Sequence, residues 1–187
     1  DLIRRKWLNN NFYGTVFFFF YTQDGLKVIL GGGWNKYEGE HYGEIIWAQY
    51  ASNSSIRERY YDDDADKSDF NVFTKAIYDL TDQWKLFGDL QYRKVDYFTD
   101  GEETGLVDDN FNFFNPKAGI TFLLNANNNF YFSYARANRE PNRDDYENGS
   151  PKPEKLNDFE LGWRYLDTSV QINTDVYYMR YKDQLVL

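Results

Sequence analysis

Pro151-Lys-Pro-Glu-Lys-Leu-Asn-Asp-Phe-Glu-Leu-Gly-Trp-Arg-Tyr165, together with Ser133-Tyr-Ala-Arg-Ala-Asn-Arg-Glu-Pro141 upstream of it, decides the fold class. From Asp158 onward, Phe159, Leu161, Trp163 and Tyr165 alternate with Asp158, Glu160 and Arg164. A period of two sends successive side chains to opposite faces of a sheet. One face here is large and aromatic and the other is charged. A strand of a membrane barrel reads this way, with lipid on one side and a wet lumen on the other.

Composition agrees. Aromatic residues make up 20% of the 187, with 17 Tyr and 16 Phe. Aromatic residues favour strands, and Tyr and Trp favour membrane–water interfaces. No run of 18 apolar residues exists, which excludes a transmembrane helix but not a barrel. The net charge of −9 argues against a nucleic-acid partner, and the absence of Cys excludes disulfides and thiolate metal sites. The acidity reads as solvated loops, and the opening Asp-Leu-Ile-Arg-Arg-Lys-Trp shows no signal peptide.

Periodicity predicts an all-β, antiparallel up-and-down meander of about eight strands, over 12–22, 26–34, 70–80, 84–97, 114–124, 130–137, 158–166 and 170–182. Short polar turns at 23–25, 81–83, 125–129 and 167–169 alternate with long links at 35–69, 99–113 and 138–157. Barrels of the outer membrane sort their loops by end in this way. Pairing Leu80 with Trp84 sets Asp79 against Lys85 and Lys75 against Asp89, each pair worth roughly 0.2–1 kcal/mol. A one-residue slip would place these charges in lipid, at about 2–4 kcal/mol for a mid-depth Lys. Arg93, Glu160 and Arg164 join Lys75, Asp79, Lys85 and Asp89 as charges lining the lumen.

In the fifth and sixth strands, Ala118, Ile120, Phe122 and Leu124 are expected to meet Arg136, Tyr134, Phe132 and Phe130. Arg136 then snorkels to the outer rim, and Pro116 marks the start of its strand. The last strand turns Val170, Ile172, Thr174, Val176 and Tyr178 to lipid and Gln171, Asn173 and Asp175 inward. Phe17-Phe-Phe-Phe20 is apolar on both faces and packs either on an internal domain or on neighbouring loops.

Four segments occur in order: Asn115-Pro-Lys-Ala-Gly-Ile-Thr-Phe122, Asn129-Phe-Tyr-Phe-Ser-Tyr-Ala-Arg136, Arg139-Glu-Pro141 and Lys152-Pro-Glu-Lys-Leu-Asn-Asp-Phe-Glu-Leu-Gly162. Their succession resembles the late barrel strands of TonB-dependent outer-membrane receptors, most specifically over 114–187. The resemblance implies energy-coupled uptake of a scarce, bulky nutrient such as a ferric siderophore, haem, cobalamin or glycan across the bacterial outer membrane. It also implies an internal plug domain, a barrel of about 22 strands and an inner-membrane protein that delivers energy. Plug, energy-coupling box and terminal aromatic residue are missing here, so residues 1–187 are expected to be a partial barrel domain that transports nothing alone. Its expected partners are membrane lipid, its own plug, the energy-coupling protein and small-molecule cargo, with no cofactor.

Other motifs carry less. Asp62 to Asp69 has alternate carboxylates like a calcium loop, but Lys67 stands where Gly is needed and Phe73 where the bidentate Glu belongs. It reads as a solvated loop, with a loose divalent-ion or lipopolysaccharide-bridging site as the minor alternative. Gly31-Gly-Gly33 suits close backbone approach or a bulge rather than a phosphate cradle. His41 has no second His or Cys for a metal, and Asn53-Ser-Ser55 matches a glycosylation acceptor that a bacterial barrel would leave idle. Arg139, Glu140, Pro141 and Arg143 open the last long link, with Tyr146 beyond them. Cargo contact at the mouth and anchoring of the loop both fit them, and anchoring, with Arg139 tied to strand ends, is the favoured reading. One His and no nucleophile–base spacing argue against an enzyme. The competing folds are a complete eight-stranded barrel with a structural or adhesive role, and a soluble β-barrel or sandwich binding sugar or lipid through Trp84, Leu86, Leu90, Phe159, Leu161 and Trp163.

Overall fold

A computed structural model describes residues 2–50 and 55–184; Asn53 of the acceptor motif lies outside them. Eight strands, β1 (Leu2–Gln23), β2 (Leu26–Ala48), β3 (Arg59–Asp79), β4 (Trp84–Gly101), β5 (Gly105–Asn125), β6 (Asn128–Arg139), β7 (Glu154–Leu166) and β8 (Gln171–Lys182), form one antiparallel sheet in sequence order. A five-residue helix, α1 (Arg143–Glu147), sits between β6 and β7. β1 and β8 are the two edges and do not pair with each other, so the described sheet is open rather than a closed eight-stranded cylinder.

The turns at one end are tight, and each has a local cause. Asp24 and Gly25 both adopt positive φ (48° and 79°), the pairing that joins right-twisted strands in two residues. Thr81 Oγ1 accepts from the backbone of Gln83 and Trp84, and Asn125 Oδ1 accepts from the backbone of Asn127 and Asn128 at 3.0 and 2.9 Å. That Asn125 clasp corrects the β5–β6 register. The turn is shorter than the five residues expected, so Ala118, Ile120 and Phe122 meet Tyr134, Phe132 and Phe130, and Arg136 meets Asn157 of β7. The offset of two residues preserves the faces.

The strands run far into the expected long links. β2 and β3 pair without a break in register from Leu26–Tyr78 to Gly43–Tyr61, and β4 and β5 close at Gly101–Gly105. The period-two signal vanishes there because both faces are polar: Lys36, Glu38, Asp66, Lys94 and Asp96 take the positions that apolar residues hold lower down. Asp62 to Asp69 is therefore strand, not loop, with Asp63 and Asp69 buried on one face. Pro116 lies well inside β5 rather than at its start. It pairs with Leu90 of β4, and the β5–β6 ladder begins only at Lys117, so its missing N–H falls where β6 makes no ladder bond.

Register sorts the side chains cleanly. Leu86, Leu90, Ile120, Phe132, Leu161 and Val176 share one face, and Leu90 and Leu161 are 48% and 57% exposed. A soluble fold would bury them. Toward the turns this band is edged by Tyr78, Trp84, Phe122, Phe130 and Trp163, and at its upper border by Trp34, Phe70, Tyr92, Phe114, Tyr134, Phe159 and Tyr178. From Trp84 to Tyr92 it is about 20 Å tall, taking a ~3.3 Å rise and the tilt usual in barrels, which approaches the apolar band of an outer-membrane wall. Among the described residues no helix is long and apolar enough to cross a membrane.

Phe17 and Phe18 occupy the space left by glycines of β2. A Cβ on Gly32 would lie 2.6 Å from the Asn71 carbonyl and 2.8 Å from the Phe17 ring, while one on Gly31 would strike Phe73 and Phe18. The aromatic run thus covers Gly32 on the apolar face and Gly31 on the opposite one. The expected outcome is that Gly32→Ala costs about 1–3 kcal/mol by overpacking. Gly88→Ala, where nothing lies within 4 Å, should stay within about 0.5 kcal/mol. Urea unfolding of the full-length protein in lipid vesicles would measure both.

Candidate functional site: a loop seated on the polar face

Long β3, β4 and β5 strands present a ladder of alternate side chains on the face opposite the apolar band: Asp63, Lys67 and Asp69, then Arg93, Val95, Tyr97 and Thr99, then Asp109 and Phe113. Residues 140–153 fold back onto this ladder. Beneath them Val95 is 0% exposed and Phe113, Thr99, Asp63 and Asp69 are also buried, as is Tyr146 of the loop itself.

The loop begins at Glu140, whose carboxylate is 10% exposed. Arg93 grips it with both terminal nitrogens, Nη1 to Oε2 at 2.7 Å and Nη2 to Oε1 at 2.8 Å, and Lys67 Nζ adds 2.8 Å to Oε1. Arg93 Nε also donates to Asp69 Oδ2 at 2.9 Å, and its Nη2 contacts the same oxygen. The planar guanidinium fork takes Glu140 through two parallel N–H bonds and still reaches Asp69, a fixed geometry that an ammonium lacks. Burial by itself would raise the Glu140 pKa; the hydrogen bonds from Arg93 and Lys67 overcome it and hold the carboxyl at about 2.

After Pro141, Asn142 caps α1. Its side chain accepts from the Asp145 N–H at 2.9 Å, and Asp145 returns a bond from the Asn142 N–H at 2.7 Å. The cap fixes the direction of α1, so Arg143 and Tyr146 both reach the sheet. Arg143 Nη2 donates to Asp63 Oδ2 at 2.8 Å, and the second Asp63 oxygen accepts from the Glu102 N–H at 3.0 Å. Tyr146 stacks on Tyr97 with centroids 5.6 Å apart and donates to Asp109 Oδ2 at 2.7 Å. Burial, then the Asp109 bond, push the Tyr146 phenol well above its ordinary value.

Arg143 and Tyr146 therefore hold the loop down. Arg139 does not contact the seat: it ends β6, exposed, 3.7 Å from Glu154 of β7. The wall charges Lys75, Asp79, Lys85, Asp89, Arg93, Glu160 and Arg164 all lie on the polar face. Asp79 and Lys85 pair at 2.9 Å. Lys75 is opposite Asp89 in register but forms no ion pair with it, because its ammonium lies 5.2 Å over the Phe87 ring. Arg164 lies over Tyr131, and Glu160, between Ser133 and Tyr177, has no ion pair among the described residues.

Sequence reasoning missed Glu140 as the hub and Lys67, Asp69, Asp63, Tyr97 and Asp109 as its seat. The signal was present in the odd spacing of Asp63, Lys67 and Asp69, which a strand turns into one face. Beside the seat, a cleft of about 520 Å³ is lined by Arg4, Lys6, His41, Tyr60, Tyr61 and Arg143, among others, with Arg4 4.9 Å over the Tyr60 ring. It is polar and aromatic, and its cations Arg4, Lys6 and Arg143 share the lining with the carboxylates Asp63, Glu102 and Glu103. Among the described residues no cluster of three or more metal-ligand side chains exists.

Comparison with known proteins decides the family, because the family described as TonB dependent receptor-like, beta-barrel, matches residues 4–187. The chain belongs to this family. The meander therefore is a piece of a transmembrane barrel wall, in a family of receptors and transporters rather than enzymes. No curated protein matches the chain. Solved structures share the fold. The copper transporter OprC superposes with a TM-score of 0.74 at 13% identity, covering 92% of this chain and 30% of its own. The open form of the ferric-catecholate import receptor Fiu from E. coli K12 gives 0.69 at 16%, covering 94% and 31%. The alcaligin outer membrane receptor FauA from Bordetella pertussis gives 0.63 at 18%, covering 95% and 30%. The chain thus spans about 30% of these relatives' length.

Replacing Arg93 with Met leaves buried Asp69 without its cation and Glu140 with Lys67 alone. It should weaken the seat by about 1–3 kcal/mol and raise amide exchange across 140–153 while leaving the β3–β4 ladder protected. The pH response has a defined sign. Glu140 has its pKa lowered on folding, so its contribution is complete above the ordinary 4.5 and fades as pH falls toward about 2. Protection of the loop should therefore be flat from pH 7 to 5 and decline below 4.5. A loss of protection at pH 6 would contradict this.

Proposed function

We propose that this chain forms part of the barrel wall of an outer-membrane receptor that takes up a scarce, bulky nutrient by energy-coupled transport. The family match over 4–187 is the observation that carries the proposal. On this reading an internal plug and an inner-membrane energy-coupling protein act with the wall, and the cargo is a ferric siderophore, haem, cobalamin or glycan. Two of the similar structures are named for ferric-catecholate import and for alcaligin, which favours a ferric chelate.

The cleft at the open end is the proposed cargo contact. Arg4 and Lys6 project over Tyr60 and Tyr61 there, an arrangement that grips a flat, anionic chelate by charge and ring contact together. Arg143 borders it, so the seated loop and the cargo share one wall. Arg143 and Tyr146 then act on cargo indirectly, by holding the loop that shapes the cleft.

Deletion of the complete gene should abolish growth on one member of a panel of ferric siderophores, haem, cobalamin and glycans, and a proton-motive-force uncoupler should mimic the loss. Arg4→Glu with Lys6→Glu should weaken binding of that cargo roughly tenfold with the barrel still folded. Undiminished uptake of every cargo in the deletion strain would sink the proposal.

A further inference from the structure

The outer border of the apolar face is charged differently in its two halves. On β2, β3 and β4 each outward cation is matched: Lys36 with Glu38 and Asp66, Arg59 with Glu40 and Asp62, Lys94 with Asp96. On β6, β7 and β8 none is. Arg136, Lys155, Arg180 and Lys182 project from the apolar face just beyond its upper ring border, with Lys152 beside them. None of the five forms an ion pair or side-chain hydrogen bond among the described residues.

Register sets these cations in a row. Arg136 is opposite Asn157, and Asn157 is opposite Arg180, so the two guanidinium-bearing strands flank one Asn at about 10 Å from each other, two strand spacings. One step further from the turns, Lys155 is opposite Lys182. One step nearer, Tyr134, Phe159 and Tyr178 form the ring border, tilted against one another in sequence with centroids 4.9 and 6.4 Å apart. Tyr134 donates to Asn157 at 2.9 Å and ties the rings to the cation row. Two shallow concavities of about 430 and 480 Å³ lie over this patch, and both include Arg136 and Lys155. Asp183 borders the first without pairing with any of the cations.

Aromatic rings at this position mark the depth at which hydrocarbon ends and headgroups begin. Unmatched cations one step outside that depth face headgroup phosphates, and arginine binds phosphate through two parallel N–H bonds. We infer that the β6–β8 patch is a binding site for a phosphorylated glycolipid headgroup of the outer leaflet, with Arg136 and Arg180 on its phosphates and Lys152, Lys155 and Lys182 around them. The inference rests on the barrel-wall reading, since that reading puts the patch at the lipid surface. The acidic β2–β4 half repels the same headgroup, so binding is confined to one sector of the wall.

The test uses the full-length protein in nanodiscs and native mass spectrometry, with bis-phosphorylated lipid A, its dephosphorylated form and inorganic phosphate as probes. Retention of bis-phosphorylated lipid A, lost on dephosphorylation and about tenfold weaker in Arg136→Glu/Arg180→Glu, is the result expected. Lys36→Gln, which alters a matched cation, should leave retention unchanged. Equal retention of the dephosphorylated lipid, equal loss in Lys36→Gln, or displacement by inorganic phosphate at similar concentration would overturn the site. Failure of the protein to insert at all would instead remove the wall reading beneath it; insertion without phosphate preference removes the headgroup site alone.

Discussion

Backbone pairing sets the terms for everything else in this molecule. A sheet that meets hydrocarbon must satisfy every N–H and C=O strand to strand, since lipid supplies no partner. The seven antiparallel pairs do this over strands of 12 to 23 residues, with few interruptions in register. Once the ladder is fixed, side-chain direction is fixed with it, and a period of two separates the greasy surface from the ionic one. The aromatic borders, the loop seat and the cation row are all readings of that one register.

Much of this is legible in the residues. Strand number, turn positions and the faces of the strands beyond the first follow from patterns such as Trp84–Leu86–Leu90 and Phe159–Leu161–Trp163 alternating with charge, because burial in lipid penalises the wrong face; Phe17 to Phe20, apolar on both faces, carries no such signal. Opposition of Asp79 with Lys85 follows from the same alternation. Where water lies on both sides the penalty disappears, and with it the pattern. Asp62 to Asp69 and Asn110 to Phe113 therefore read as loops although they are strand. The β5–β6 register was illegible for a different reason: a single side chain, Asn125, closes the turn, and composition does not count its hydrogen bonds.

The candidate site was legible only in part. Arg143 and Tyr146 stand out as chemistry on a loop, and both contact the sheet beneath it, at Asp63 and Asp109. Glu140 stands beside Arg139 at the start of the loop, but its place as the hub is hidden, because a carboxylate gains its meaning from Arg93 and Lys67, which lie 47 and 73 residues away in sequence. Contacts at that separation come from topology rather than local pattern. The unmatched cations of β6–β8 were equally hidden, since the absence of an acidic neighbour is visible only when the neighbouring strands are in place.

The seat of residues 140–153 has an unusual thermodynamic character. Apart from the Tyr97–Tyr146 ring pair and the cover over Val95 and Phe113, what the segment gives up on lifting away is carboxylate, guanidinium and ammonium contact, which bulk water hydrates well. Undocking also uncovers Val95 and Phe113, whose burial opposes it, while salt competes directly with the ionic part of the hold. The wall below obeys the opposite rule, being insensitive to ions and intolerant of solvent. One continuous sheet thus joins a rigid greasy base to an upper tier that can be rearranged reversibly.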